Sequence, residues 1–248
     1  MAHREYRKIC PGADTAVLLI HGINGTPNHF RDVLELVPPE YSVVNVLLSG
    51  HGGSVRDFAR TSMEKWKAQV DREVASLLEN HEHLLIVGHS MGTLFAIRQA
   101  IRHPDKVKAL FLLAVPLKIA VKPRAIGTSL KVSLGKVKQD DAWAKAAANC
   151  YGIQPDRRFW RYIPWANRYL ELFKEIRNVK TQLTALKTPC HCYQSKKDEL
   201  VSMKACGILR ENKAVSVEVL ENSGHYYYEE ADYRRLLEDF QRFIKDMV

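Results

Sequence analysis

Residues 84–102 read LLIVGHSMGTLFAIRQAIR. The run Leu84-Leu85-Ile86-Val87 has the length and branching of a strand buried on both faces. It passes through Gly88-His89-Ser90-Met91-Gly92 into a stretch where Leu94, Phe95, Ile97 and Ile101 recur at helical spacing. A serine caught between such a strand and such a helix sits on a sharp turn, with its hydroxyl held clear of the backbone. Gly88 and Gly92 suit this geometry, because side chains there would collide where strand and helix pack closely. The helix that follows aims its first amides, and the positive end of its dipole, at the serine oxygen, where negative charge would develop on attack. Serine is a weak nucleophile unaided, so the motif has meaning only with a base and an oxyanion site supplied from elsewhere in the chain.

On either side the chain alternates apolar runs with amphipathic stretches. Ala16 to Ile20 reads as a buried strand ending at His21-Gly22. Pro27 suits a helix start, with Phe30, Val33, Leu34 and Val37 as its apolar face. Tyr41 to Leu48 is the next strand, followed by the loop Ser49-Gly50-His51-Gly52-Gly53-Ser54. Thr61 is placed to cap a long helix carrying Met63, Trp66, Val70, Val74, Leu77 and Leu78 at three- or four-residue spacing. Val107 to Val115, Pro189 to Gln194 and Val215 to Leu220 complete the strands. A helix over 201–211 and a final helix from about residue 228 are expected between and after the last two. This rhythm predicts an α/β fold, a mostly parallel sheet of six to eight strands with helices on both faces.

Residues 116–186 break the rhythm. They lack a clear strand and hold three of the four tryptophans, Trp143, Trp160 and Trp165. The expected organisation is therefore a core of residues 1–115 and 187–248, with 116–186 inserted as a helical lid. An insertion after a strand's carboxyl end lies over the crevice where open α/β sheets bind ligands. The same segment carries 14 Lys and Arg against 5 Asp and Glu, a net of +9, so the rest of the chain balances at 23 against 23. Such an excess would favour anionic substrates or weak association with anionic surfaces. No zinc-finger spacing, RNA-binding aromatic motif or continuous basic run points to nucleic acid as a partner.

At 248 residues, 46% hydrophobic and 26% charged, the composition is that of a globular domain with a sizeable core. No apolar run approaches the roughly 20 residues of a membrane helix. MAHREYRKIC contains no secretory h-region. Five scattered cysteines (Cys10, Cys150, Cys190, Cys192, Cys206) read as free thiols, which predicts a reducing, cytoplasmic setting. Cys190-His191-Cys192 lacks a second half-site and falls in a strand, where neighbours point to opposite faces. We read it as core rather than metal site.

On this topology a serine nucleophile needs its acid and then its base at loops after later strands. Asp198, in Gln194-Ser195-Lys196-Lys197-Asp198-Glu199, stands where the acid belongs, with Glu199 as its rival. Of ten histidines only His225 lies beyond it, after the loop Glu221-Asn222-Ser223-Gly224. Its imidazole would take the Ser90 proton and return it to the leaving group, while the acid fixes the tautomer. The oxyanion amides should be those of Met91, just after the nucleophile, and Ile23, just past Ile20-His21-Gly22. His21, His51 and His89 read as loop-shaping residues. Ile23, Asn24 and Met91 should border the substrate pocket. Asn24, Trp143, Trp160 and Trp165 are the candidate substrate-binding residues, with Tyr151, Phe159 and Tyr169 as further aromatic candidates.

The set LLIHGINGTP, GHSMG, KKDELV and NSGHYYYEE resembles the α/β-hydrolase superfamily, in particular its small carboxylesterases and monoacylglycerol lipases, over nearly the whole chain. The resemblance implies Ser90, Asp198 and His225 as triad, Ile23 and Met91 as oxyanion hole, and hydrolysis of a small-molecule carboxylic ester without metal or organic cofactor. Alternatives on the same fold are a thioesterase, a cofactor-free lyase, a carbon–carbon hydrolase or a non-hydrolytic receptor. Two departures stand out. Thr93 follows Gly92 where many relatives have glycine, and the short N-terminus leaves room for about one strand before residue 16.

Overall fold

A computed structural model describes residues 3–133 and 135–246. Met1, Ala2, Leu134 of the basic segment, Met247 and Val248 lie outside it. The sheet has seven strands: β1 (Tyr6–Lys8), β2 (Thr15–Ile20), β3 (Ser42–Val46), β4 (His83–His89), β5 (Val107–Leu113), β6 (Cys190–Ser195) and β7 (Val215–Leu220). Their spatial order is β1-β3-β2-β4-β5-β6-β7. Among the described residues only β1 runs antiparallel to its neighbour; the other pairings are parallel.

The chain moves from β2 outward to β3, then crosses back to lay β4 on the other side of β2. The loops leaving β2 and β4 therefore diverge at their carboxyl ends and open a crevice, the usual ligand position in such sheets. Register pairs Ile20 with Gly88, so the two loops begin side by side.

Alternation along each strand sorts the core into two layers. Ala16, Leu18, Ile20, Leu84 and Ile86 face one side with α3 (Met63–Asn80), α4 (Met91–Arg102) and α8 (Lys204–Arg210). Val17, Leu19, Leu85, Val87 and Phe111 face the other with α1 (Arg31–Leu34) and α9 (Glu230–Asp246), which contributes Leu236, Phe240, Phe243 and Ile244. A short α2 (Val55–Ala59) sits between β3 and α3. The long helix begins one residue later than its apolar spacing suggests. Ser62, not Thr61, is its N-cap, accepting the Lys65 N–H, while Thr61 is buried and bonds Ser49 at 2.9 Å. The last helix likewise starts at Glu230 rather than 228.

Cys190 and Cys192 are buried together, with sulfurs 3.4 Å apart. His191 points to the opposite face, against Phe243, as alternation requires.

Between β5 and β6 lie α5 (Pro123–Ser133), α6 (Ala142–Cys150) and α7 (Trp165–Gln182). Leu172, Ile176 and Val179 of α7 join the same core layer as α3 and α4, while Leu170 and Phe173 face outward. Among the described residues no helix is long and apolar enough to cross a membrane.

The tightest backbone approach is at Gly92, where an added Cβ would lie 1.9 Å from the Ile20 carbonyl oxygen. Gly92→Ala is expected to cost about 2–3 kcal/mol, lowering the Tm by roughly 5–10 °C. An unchanged melting curve would show that α4 can retreat from β2 freely.

Candidate active site

Ser90 occupies the turn between β4 and α4 with φ 50° and ψ −119°, a conformation that L-residues seldom adopt. Such strain costs on the order of 1–3 kcal/mol and persists only where surrounding bonds over-determine it. Here the Ser90 N–H donates to Leu113 O at 2.9 Å. The Ser90 carbonyl accepts from the Thr93 N–H at 3.0 Å and from the Thr93 hydroxyl at 2.6 Å. Thr93, the departure noted in the sequence, thus fastens the turn. The strand hydrogen bonds and the Gly92 contact pin both ends, leaving Ser90 8% exposed at the crevice.

His225 and Asp198 come from loops after β7 and β6. His225 Nδ1 and Asp198 Oδ2 are 2.8 Å apart, and both side chains are fully enclosed. The other Asp198 oxygen accepts backbone N–H groups of Leu200 at 2.7 Å and Val201 at 2.8 Å, which fixes the carboxylate plane. Burial alone would disfavour an imidazolium. The adjacent Asp198 charge and hydrogen bond, with a smaller contribution from Glu199, outweigh it and raise the His225 pKa above its ordinary value. Glu199 does not compete for the ring: its Oε2 accepts the His225 backbone N–H at 3.0 Å. The choice between the two neighbouring acids is thereby decided in geometry, with Asp198 on the imidazole and Glu199 on the main chain.

Ser90 and His225 open onto one cavity of about 150 Å³, which Ile23, Asn24, Tyr151, Tyr169 and Glu199 also line. No hydrogen bond joins the Ser90 hydroxyl to the imidazole among the described residues, a looseness common before substrate is bound. Met91 opens α4, and the first N–H groups of a helix have no intrahelical acceptor. Ile23 lies just beyond β2, where the loop packs so closely on the turn that a Cβ at Gly22 would sit 2.9 Å from Ser90 Cβ. Asn24, itself at φ 59°, donates from Nδ2 to the Tyr169 hydroxyl at 2.7 Å.

His21, His51 and His89 are structural in their bonding. His21 Nδ1 bonds Gly22 O at 2.8 Å and its Nε2 accepts the Leu48 N–H at 3.1 Å; burial pushes its pKa down to about 4. His51 Nδ1 bonds Leu48 O, and burial holds it well below the imidazole range. His89 Nε2 bonds the carbonyl of His225 at 3.0 Å, tying the serine turn to the histidine loop.

Several expectations need correcting. Met91 does not wall the pocket with its side chain, which is wholly buried in the core. None of the three tryptophans lines the cavity. Trp143 stacks on Tyr227 with centroids 4.8 Å apart and lies under Arg124, bracing the His225 loop from outside. Trp165 is buried against Phe58 at 4.5 Å and donates to Val55 O, joining α7 to α2. Trp160 and Phe159 are exposed, at 54% and 75%. Large rings at helix starts served packing between elements, and nothing in their spacing distinguishes that from a pocket role. The pocket wall missed from sequence is α5, which presents Ala125, Thr128, Ser129 and Val132. Its small side chains give no composition signal, though their i, i+3, i+4, i+7 spacing marks a helix face.

A strained serine turn at the switch point of a mostly parallel sheet, with a carboxylate–imidazole pair from later loops, defines an α/β-hydrolase fold. The chain belongs to the Hydrolase_4 family, described as Serine aminopeptidase, S33, which matches residues 11–232. It is 34% identical over 90 residues to a thermostable monoacylglycerol lipase of a Bacillus species, 36% of each chain. It is 35% identical over 117 residues to a pimeloyl-acyl-carrier-protein methyl ester esterase of Neisseria meningitidis, 46% of this chain and 42% of that one. The matched stretches thus span less than half of those relatives. The structure described for LipS and LipT, two metagenome-derived lipolytic enzymes, aligns with TM-score 0.72 and 20% identity over 99% of this chain and 98% of that one, a likeness of fold.

The His225 imidazole should titrate above pH 6.5, with its midpoint falling in Asp198→Asn, because burial stays while the compensating charge goes. Nitrogen NMR of the ring reads both values. A midpoint that rises or holds in the variant would remove Asp198 as the charge partner.

Proposed function

We propose that the protein is a serine hydrolase of carboxylic esters, acting through an acyl-enzyme on Ser90. The observation that carries this reading is the 2.8 Å Asp198–His225 contact, whose imidazole opens onto the same cavity as the Ser90 hydroxyl. In the proposed cycle neutral His225 takes the serine proton as the oxygen attacks the ester carbonyl, and Asp198 stabilises the imidazolium. The N–H groups of Ile23 and Met91 receive the oxyanion, the dipole of α4 adding to the latter. The imidazolium then protonates the departing alcohol, and water, activated by the same base, releases the acid. No step calls for a metal or organic cofactor. Thioesters, lyase chemistry or carbon–carbon cleavage would use the same hydroxyl. The two relatives named for ester substrates favour esters, and a cavity of about 150 Å³ favours a short acyl group.

Residues 116–186 are, in this reading, a cap that seats the protein on an anionic lipid surface. Among the described residues, eight of the ten exposed large hydrophobic ones fall within it, Phe159, Trp160, Ile163, Leu170 and Phe173 among them. Of its 14 Lys and Arg, only Lys131, Arg158, Arg161 and Arg168 make ion pairs among the described residues. A segment that combines exposed apolar side chains with cations outside ion pairs suits an anionic interface.

Ser90→Ala should lower the hydrolysis of p-nitrophenyl butyrate by roughly 10⁴-fold or more and abolish the fluorophosphonate adduct. Hydrolysis that survives the substitution would refute the nucleophile. In wild type, kcat/KM should fall on acidification through a midpoint above 6.5, because the base must be neutral and its pKa is raised. A rate constant from pH 5 to 8 would exclude His225 as base. Flotation should recover the protein with phosphatidylcholine vesicles containing phosphatidylglycerol and not with phosphatidylcholine alone. A Phe159→Ser/Trp160→Ser double variant should bind less. Self-association in solution with no vesicle binding would assign the apolar face to a second copy instead.

A further inference from the structure

The cavity beside Ser90 has one charged group in its wall apart from the imidazole, and that group is acidic. Glu199 is 5% exposed, yet it lines the space. One oxygen is engaged by the His225 backbone N–H at 3.0 Å. Among the described residues its second oxygen has no cation or hydrogen-bond donor, and it is not sealed off from solvent. No Lys or Arg lines the cavity, despite the net +9 of the segment that supplies part of its wall.

The carboxylate is held rigidly where it is. Its own carbonyl accepts the Lys122 N–H at 2.8 Å, the next carbonyl accepts the Ala120 N–H at 2.9 Å, and Ile119 bridges to Val201. The start of the basic segment is thus stitched to the loop carrying both acids. On the other side, a Cβ at Gly224 would come within 2.8 Å of Glu199 Oε2, so the glycine lets the histidine loop close onto the carboxylate. A carboxylate oxygen that is fixed in place, faces a small pocket and has no protein partner is preorganised to accept a hydrogen bond from a ligand.

We infer that Glu199 is the specificity-determining residue of this site, taking a substrate whose acyl or alcohol part carries a hydrogen-bond-donating and preferably cationic group, such as an ammonium, and rejecting one that carries a carboxylate. This deepens the reading of Ser90 as an ester-cleaving nucleophile and rests on it. It also separates two functions of charge: the basic residues act at the outer surface, and the pocket itself selects for the opposite sign. A charge-assisted hydrogen bond from ammonium to Glu199 forms in a low-dielectric site, whereas a carboxylate placed there meets a like charge with no Lys or Arg in the cavity wall and, above the His225 midpoint, a neutral imidazole.

Binding and turnover test the two readings separately. In Ser90→Ala protein, titrations with butylammonium, butanol and butyrate can be followed by the NMR shifts of the His225 amide and ring. Butylammonium should bind at least about tenfold tighter than butyrate, the span expected of one charge-assisted hydrogen bond, with butanol between them. Glu199→Gln retains an acceptor for the His225 N–H but loses the charge, and should compress that ratio to within about threefold. Equal affinity for the three ligands, or tighter butyrate, in the Ser90→Ala parent overturns the inference without recourse to the Gln variant. So does an undiminished preference in a folded Glu199→Gln protein. Turnover of amino-substituted and carboxy-substituted p-nitrophenyl esters by wild type forms the second arm. The ligand order without any ester hydrolysis would keep the pocket preference and discard the hydrolase reading, whereas hydrolysis indifferent to substrate charge would do the reverse.

Discussion

The closeness of α4 to the end of β2 governs the site. Gly92 lies so near the Ile20 carbonyl that no side chain fits between them. That approach forces the chain between β4 and α4 through a turn in which Ser90 takes a positive φ. The same closeness sets the loop at Gly22 and Ile23 beside the serine, which itself stands immediately ahead of the first turn of α4. The hydrogen bonds from Thr93 to the Ser90 carbonyl, and from the Ser90 N–H to Leu113 O, hold a conformation that would otherwise relax.

The electrostatics follow from which groups are enclosed together. His21, His51 and His89 are buried without a carboxylate against them, so desolvation wins and they stay neutral, each committed to a backbone hydrogen bond. His225 is just as deeply buried, but Asp198 stands against its Nδ1 and reverses the sign of the shift. Of the enclosed imidazoles around the site, His21, His29, His51 and His89 are shifted down and His225 alone is shifted up.

The segment between β5 and β6 works in both directions. Through Trp165, Leu172, Ile176 and Val179 it is anchored to the same core layer as α3 and α4. Through Phe159, Trp160, Ile163, Leu170 and Phe173 it presents apolar surface outward. α5 supplies small side chains to the cavity wall, while Trp143 braces the histidine loop from behind. Aromatic content marked the segment as special. Burial and partner decided what each ring does there.

Sequence alone determined the alternating strands and helices, the turn bearing Ser90, and the chain order of the candidate serine, acid and histidine. Each of these is local: a two-residue or 3.6-residue period, a glycine beside a serine, a place in chain order. What only the tertiary structure decided is non-local. Asp198 rather than Glu199 meets the imidazole because loops after β6 and β7 close at one particular register. Met91 turns its side chain into the core because α4 lies flat on the sheet. Trp143 and Trp165 pack between elements while Trp160 stays exposed, because only the first two meet a partner surface. Glu199 faces the cavity because the start of the basic segment is bonded across its loop. Contacts between residues far apart in the chain depend on how whole elements pack, and no period or spacing within one stretch encodes them.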